Sequence, residues 1–174
     1  MSWFIVAQII GVLATVLSLL IYQVNRRSSM LWLGLAAGVL FAIHFYILGA
    51  LTGAILNLIG IARSYTFVKV TPSRNNIWVL VLFIIIASVA TVAFWQGQIG
   101  VLALVGNTAS GIAFWQKKPK SIRRWALISP PLWFAYNALS RSYPGMFIEV
   151  MNVLSAVTGI YRFDRKSTIK LEER

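Results

Sequence analysis

The sequence has no cysteine and a single histidine, His44. Without cysteine the chain can form no disulfide, no thiolate metal site and no cysteine nucleophile. One histidine cannot build a multi-histidine metal site, and no pair of aspartates lies in an apolar segment. We therefore expect no metal, no cofactor and no catalytic residue, and we do not expect the chain to be an enzyme.

Charged residues are scarce as well, at 11% of the chain, whereas hydrophobic residues make up 59% and the mean hydropathy is +0.77. A soluble domain is closer to half apolar and a quarter charged. Three stretches, 1–25, 28–62 and 75–116, carry no Asp, Glu, Lys or Arg. The second and third are far longer than the roughly 20 residues of one span, so each is expected to form a helical hairpin. Because their apolar residues do not alternate as barrel strands do, they predict an all-α membrane protein.

Turn residues divide these stretches into seven predicted transmembrane helices. Gly49 and Gly53 separate the second from the third, and Gly97 splits the longest charge-free stretch. Pro130 and Pro131 fall inside the sixth predicted span, where we expect them to kink the helix. The seven predicted spans are 3–24, 30–48, 51–69, 76–95, 98–116, 122–140 and 143–162.

The basic residues are distributed unevenly between the two sides. Fifteen of the 16 Lys and Arg residues, including Arg63 near the end of the third span and Arg123 in the fifth loop, fall in alternate loops or the C-terminal tail. Arg141 alone lies on the other side. Basic residues collect on the cytoplasmic side, which predicts an outside N-terminus and a cytoplasmic C-terminus. The net charge of +12 is therefore interpreted as a topology signal, with the lipid bilayer and not nucleic acid as the partner.

Two stretches of the chain, 11–67 and 105–163, are loose copies of each other. The matched positions include the pairs Gln23 and Gln116, Trp32 and Trp125, and Asn57 and Asn152. The copies contain the first three and the last three spans, so the fourth span is a linker. One linking span restores the original direction, which predicts parallel repeats related by an axis along the membrane normal.

The repeat predicts how the chain is organised. A first three-helix repeat is expected at 1–69, a linker helix at 70–97, a second three-helix repeat at 98–163 and a cytoplasmic tail at 164–174.

Four short segments carry a resemblance to a known family. They are Gly-Val-Leu-Ala at 11–14, His-Phe-Tyr-Ile-Leu-Gly at 44–49, Ala-Ile-Leu-Asn at 54–57 and Ile-Glu-Val-Met-Asn at 148–152. Over nearly its whole length the chain resembles the YgjV family of bacterial inner-membrane proteins and, more broadly, the SWEET and PQ-loop transporter superfamily. The resemblance implies a multi-pass protein of the bacterial inner membrane with a three-plus-one-plus-three arrangement of helices.

Four asparagines are candidate solute-binding residues. Asn57 and Asn152 lie near mid-depth in the third and seventh spans and face each other by the repeat. Asn107 lies at mid-depth in the fifth span, and Asn137 is the repeat counterpart of His44. An amide offers a donor and an acceptor to a hydroxylated or amide-bearing solute. The alternative is that the asparagines only form hydrogen bonds between helices.

His44 and Glu149 are candidate gating or protonation residues. Glu149 is the acid that falls inside a predicted span, where a carboxylate is costly and suggests function. Both residues are predicted at a similar depth in the outer half, so we expect them to approach each other. The alternatives are that each forms separate bonds within its own repeat, or that Arg141 neutralises Glu149.

Matched aromatic–glutamine pairs lie at the cytoplasmic ends of the first and fifth spans. They are Tyr22 with Gln23, and Trp115 with Gln116. The superfamily carries proline before these glutamines, and in its transporters the proline acts as a hinge; here aromatic residues take its place. We interpret the two pairs either as an inner gate or as interfacial anchors.

Together with the resemblance, these features predict a transporter or facilitator of a small neutral polar solute, such as a sugar or a vitamin- or nucleoside-like compound. Transport is expected to proceed by alternating access between two three-helix bundles. A neutral solute is favoured because no Lys or Arg is predicted at mid-depth to balance an anion. The alternative is a non-transport protein on the same fold, such as a sorting receptor or an assembly factor. The sequence also leaves a homo-oligomer open.

Overall fold

The computed structural model describes residues 2–165, and this part of the chain consists of helices joined by turns and short loops, with no strand. The all-α prediction is therefore confirmed for these residues, and most of the predicted tail lies outside them. The helices are α1 (Trp3–Ile21), α2 (Arg27–Ile47), α3 (Leu51–Lys69), α4 (Trp78–Ala93), α5 (Ile99–Trp115), α6 (Pro119–Trp125), α7 (Ser129–Leu139) and α8 (Tyr143–Gly159). A π-helical turn, Ile160–Arg165, extends α8.

Four of these segments are long and apolar enough to cross a membrane by length and composition. They are α1, α2, α3 and the continuous stretch Tyr143–Asp164. The helices α4 and α5 are also apolar but shorter, at 16 and 17 residues. Large apolar side chains project from the outside of the bundle, among them Val89 and Val92 on α4, which are 63% and 73% exposed. Extensive exposed apolar surface of this kind is what a lipid-facing exterior requires.

The sixth predicted span is broken into two helices, which corrects the sequence prediction. The regular α-helix is interrupted at 126–128, where hydrogen-bonded turns connect α6 and α7. Ala126 and Ile128 nevertheless keep right-handed helical dihedral angles. Pro130 and Pro131 then occupy the first turn of α7. In a continuous helix both prolines would remove a backbone hydrogen bond, whereas in a first turn their missing N–H groups cost nothing. The prolines therefore start a helix here and do not kink one.

Six helices form a closed ring. The helix α2 packs against α1 and α3, and α7 packs against α5 and α8. Contacts between α3 and α5 and between α1 and α8 join the two groups. The helix α4 packs outside this ring, against α3 and α5. The interior of the ring is therefore shared by α1, α2, α3, α5, α7 and α8.

The ring has two ends that differ in chemistry. The basic end contains the start of α2 at Arg27 and the short helix α6 with Arg123. The opposite end contains His44, near the end of α2, and Ser142, which caps α8 through a bond from the backbone of Gly145. We use "basic end" and "opposite end" in this sense below.

Candidate functional site

A cavity of about 140 Å³ lies inside the helix ring. Side chains from all six ring helices line it, and α4 contributes none. Apolar groups such as Phe41 and Leu56 form part of the wall. The lining also contains many polar side chains: Ser18, Tyr22, Asn57, Arg63, Ser64, Asn107, Ser110, Ser129, Asn137, Glu149 and Asn152. Polar groups within a membrane protein cluster where a solute or ion is handled, because each is costly in hydrocarbon.

The four predicted asparagines all line this cavity. Asn57 Nδ2 donates to the backbone oxygen of Gly53 at 2.9 Å, within its own helix. The amide oxygens of Asn137 and Asn152 are buried and have no hydrogen-bond partner among residues 2–165. Asn137 Oδ1 lies against Gly145 of α8. Buried acceptors are nearly always satisfied, so these two oxygens stand out as unsatisfied groups on the α7 and α8 sides of the cavity. The structure thus brings together the residues that the repeat singled out.

Arg63 lines the cavity, whereas the sequence pattern predicted it near the cytoplasmic end of the third span. It lies six residues, about 9 Å, before the end of α3, and it is only 5% exposed. Its Nη1 donates to the backbone oxygen of Asn107 at 2.9 Å and to Asn107 Oδ1 at 3.0 Å. Its Nε has no partner among residues 2–165. The prediction that Arg63 belongs to the cytoplasmic end of the third span, and that no basic residue lies deep in a span, is therefore wrong.

A helical stripe in the sequence could have revealed Arg63. Asn57, Gly60 and Arg63 follow each other at intervals of three residues, Ser64 lies four residues after Gly60, and all four line the cavity. Gly111 on α5 leaves room for the guanidinium of Arg63 because it has no side chain. A Cβ at this position would lie only 3.1 Å from Arg63 Nη1. The spacing of small and polar residues on α3 therefore marks its cavity face.

Glu149 also lines the cavity, on the α8 side. Its Oε2 accepts one hydrogen bond, from Asn152 Nδ2 at 3.4 Å. Neither Glu149 nor Arg63 forms a salt bridge within 4 Å with any residue in the described part of the chain. The predicted alternative in which Arg141 neutralises Glu149 is thus not seen. One cavity wall holds a cation and another holds an acid, and the two do not pair.

His44 and Glu149 do not approach each other as predicted. His44 Nδ1 is 2.7 Å from the backbone oxygen of Ala7, and its Nε2 is 2.7 Å from Ser142 Oγ. A carbonyl only accepts, so Nδ1 carries the hydrogen of that bond. Both ring nitrogens are thereby engaged, and His44 is absent from the cavity lining. Similar predicted depth along two helices did not lead to a contact, since His44 bonds Ala7 and Ser142 whereas Glu149 bonds Asn152 in the cavity lining.

The matched aromatic–glutamine pairs also occupy different environments, so they do not form one symmetric inner gate. Tyr22 lines the cavity, and Gln23 Nε2 donates to Ser155 Oγ on α8 at 2.9 Å. Trp115 instead packs edge-to-face against Phe67, with ring centroids 4.7 Å apart, outside the cavity lining. Gln116 Nε2 donates to a carbonyl of its own helix at 3.0 Å. Any gating role for these residues remains a prediction.

Arg27 and Arg123 connect helices at the basic end by hydrogen bonds, although both were predicted to lie in loops. Arg27 donates from Nε to the backbone oxygen of Gln116 at 2.9 Å and from Nη1 to that of Phe67 at 2.7 Å. Arg123 is 1% exposed, pairs with Asp164 and donates to Asn25 Oδ1 at 3.2 Å. Both arginines therefore connect the first three helices with the later ones.

The opposite end is also held by contacts between the two halves of the ring. His44 on α2 reaches Ser142, the cap of α8. The backbone N–H of Gly53 on α3 donates to the hydroxyl of Tyr136 on α7 at 2.8 Å. The cavity thus lies between two sets of hydrogen bonds, one at each end, that join the same two groups of helices.

Comparison with known families matches residues 5–167 to Imp-YgjV, a family described as a bacterial inner membrane protein. Comparisons with curated proteins and with solved structures give no significant match. The broader resemblance to SWEET and PQ-loop transporters therefore stays a prediction. The family match covers nearly the whole chain and agrees with the helices of membrane-crossing length. The chain belongs to the YgjV family of bacterial inner-membrane proteins.

Proposed function

We propose that this protein moves a small polar solute across the inner membrane by alternating access. The two moving units are α1–α3 and the group α5–α8, and the solute binds in the cavity between them. The main support for this proposal is the cavity, which has many polar side chains in its wall and is lined by both units but not by α4. Transporters built from repeats place their solute site at such an interface.

The packing pattern supports two equivalent units. Replacing α1, α2 and α3 by α5, α7 and α8, and the reverse, maps each ring contact onto another ring contact. The pair α3–α5, for example, becomes α8–α1. Parallel repeats around an axis along the membrane normal produce this pattern. The same proposal counts α6 and α7 as one interrupted crossing, which gives seven spans.

The charge distribution supports the orientation within this proposal. Arg63 and Arg123 are buried and no longer count as loop charges. Among residues 2–165, the remaining basic residues still fall on the basic end, with Arg141 as the exception. We therefore propose that the basic end faces the cytoplasm and that the N-terminus lies outside.

The break between α6 and α7 supports movement of the second unit. Ala126, Ser129 and Pro130, which surround the break, line the cavity. Interrupted helices are common at the solute sites of transporters, where irregular backbone borders a cavity and not lipid. We propose that this break takes over the hinge role of the proline that is missing from α1 and α5.

Because the chain has no cysteine, alternating access can be tested with single cysteines and no prior removal of native thiols. Ser18→Cys is the main variant, since Ser18 lines the cavity and forms no side-chain hydrogen bond. A membrane-impermeant maleimide is applied to intact cells and, separately, to inside-out vesicles. Alternating access predicts labelling of Ser18→Cys from both sides.

Three control cysteines make this assay decisive. Tyr143→Cys at the opposite end is expected to react only from outside, and Lys118→Cys at the basic end only from the cytoplasm. Val89→Cys on the lipid-facing side of α4 should react from neither side. Labelling of Ser18→Cys from one side only, or from neither, would contradict transport and favour the receptor or assembly-factor alternative.

A further inference from the structure

We propose that the cavity solute is a small zwitterion, whose carboxylate binds Arg63 and whose ammonium group binds Glu149 and Asn152. This inference rests on the proposed function for the movement of the solute, but binding itself does not depend on transport. It replaces the neutral solute predicted from the sequence, because that prediction assumed that no cation lies deep in a span.

The first reason is that the charge of Arg63 is not balanced by the protein. Its hydrogen bonds go to two neutral oxygens of Asn107, and its Nε has no partner in the part of the chain that the structure describes. A buried charge without a counter-ion is strongly unfavourable, above all in the interior of a membrane protein. The fork of a guanidinium matches a carboxylate, which it can bind through two parallel hydrogen bonds.

The second reason is that the wall of the same cavity also contains a carboxyl group, on Glu149, and an unsatisfied amide oxygen, on Asn152. Glu149 receives a single long hydrogen bond, from Asn152, and has no basic partner in the described part of the chain. Asn152 Oδ1 is buried and has no partner. An ammonium group has only donors, so it suits a carboxylate and a free amide oxygen.

The third reason is that a zwitterion supplies a counter-charge to both walls. With Glu149 ionised, a neutral solute leaves both Arg63 and Glu149 without a counter-charge, an anion leaves Glu149 unbalanced, and a cation leaves Arg63 unbalanced. The volume of about 140 Å³ is also small. A cavity of roughly 150 Å³ holds one benzene molecule, so the fitting solute has the size of a short-chain amino acid.

Four compounds of equal size separate these possibilities. L-alanine carries both charges, L-lactate lacks the ammonium group, L-alaninamide lacks the carboxylate, and L-lactamide lacks both. Each has the same number of non-hydrogen atoms, so size does not confound the comparison. Binding to the purified full-length protein in detergent is measured by calorimetry, and uptake is measured separately in proteoliposomes.

We expect L-alanine to bind most tightly. Loss of either charged group should weaken binding roughly tenfold to a hundredfold, as expected when a hydrogen bond to a charged group is lost. Arg63→Gln should abolish the preference for L-alanine over L-alaninamide and leave its preference over L-lactate. Glu149→Gln should have the reverse effect. Val89→Ala, a neutral change on the lipid-facing side of α4 and outside the cavity lining, should preserve both preferences.

The design remains informative if Arg63→Gln does not fold. Arg63→Lys keeps the charge and should retain a weaker preference for carboxylates, and the ranking by the unmodified protein needs no variant. Gel filtration verifies that each variant is folded. Binding of L-lactamide as tight as that of L-alanine, or no binding of any of the four, would overturn the zwitterion site.

Binding and uptake report on different claims. L-alanine that binds with the expected ranking but does not enter proteoliposomes supports the zwitterion site and contradicts the proposed transport. Uptake of L-lactamide at least as fast as that of L-alanine contradicts the zwitterion site and leaves transport standing.

Discussion

The two buried arginines of the protein core, Arg63 and Arg123, have different roles. Arg63 lines the cavity between the two units, and Arg123 holds the basic end, where it meets Asp164, Asn25 and the ring of Phe163. Arg123 differs from Arg63 because a carboxylate balances its charge. We therefore assign Arg123 to the stability of the closed basic end and Arg63 to the solute.

Arg123→Gln is expected to destabilise the protein strongly. Breaking a buried ion pair from one side leaves the other charge without its partner and typically costs about 3–5 kcal/mol. The neighbouring exposed residue provides a matched control, since Arg124→Gln removes the same charge from the surface. Surface changes of that kind usually stay within about 0.5 kcal/mol. Thermal unfolding in detergent checks both variants, and equal shifts would contradict the structural role of Arg123.

Single residues also mark the limit of what the sequence could predict. The repeat identified Asn57 and Asn152, because matched polar residues in two copies fall on matched faces. It could not place Arg63, whose long side chain turns inward to Asn107 and not outward to the membrane surface. Depth estimates likewise failed to describe His44 and Glu149, since position along a helix axis does not determine the direction of a side chain.

At the scale of helices, boundaries followed local chemistry. The predicted third span, 51–69, coincides with α3, because Gly49 with its positive φ of 75° turns the chain just before it. The predicted sixth span, 122–140, is interrupted and not continuous, and the sequence could not show this because Pro130 and Pro131 are compatible both with a kink and with a helix start. In the structure, Ser129 Oγ donates to the backbone oxygen of Gly106 on α5. This contact between helices fixes the first residue of α7 and favours a helix start at this position.

The double variant Pro130→Ala and Pro131→Ala tests the importance of the break. Alanine restores two backbone N–H donors, so the helix can continue through 126–128. A continuous helix would stiffen the second unit. Maleimide labelling of Ser18→Cys should then slow several-fold from both sides, while the protein stays folded.

The control for this variant is Pro119→Ala, which alters a proline in the first turn of the short helix α6, away from the break. Labelling of Ser18→Cys should be unchanged by it. If the double variant is labelled as fast as the parent, the break is a static feature and not a hinge.

At the scale of the whole molecule, two sets of contacts at the ends of one ring enclose one cavity. If the units rock against each other, the contacts at the opposite end and those at the basic end must break in turn. The two ends are then coupled through a single equilibrium, and a change that favours opening at one end must favour closure at the other.

Distances measured by electron paramagnetic resonance between spin labels test this coupling most directly. Two pairs of exposed residues matched by the repeat serve as label sites after mutation to cysteine. Tyr46 with Leu139 reports on the opposite end, and Trp32 with Trp125 reports on the basic end. His44→Ala is then introduced into each pair, because it removes the bond to Ser142 that joins the units. Alternating access predicts a longer distance at the opposite end and a shorter distance at the basic end. A longer distance at the opposite end with no change at the basic end would contradict it.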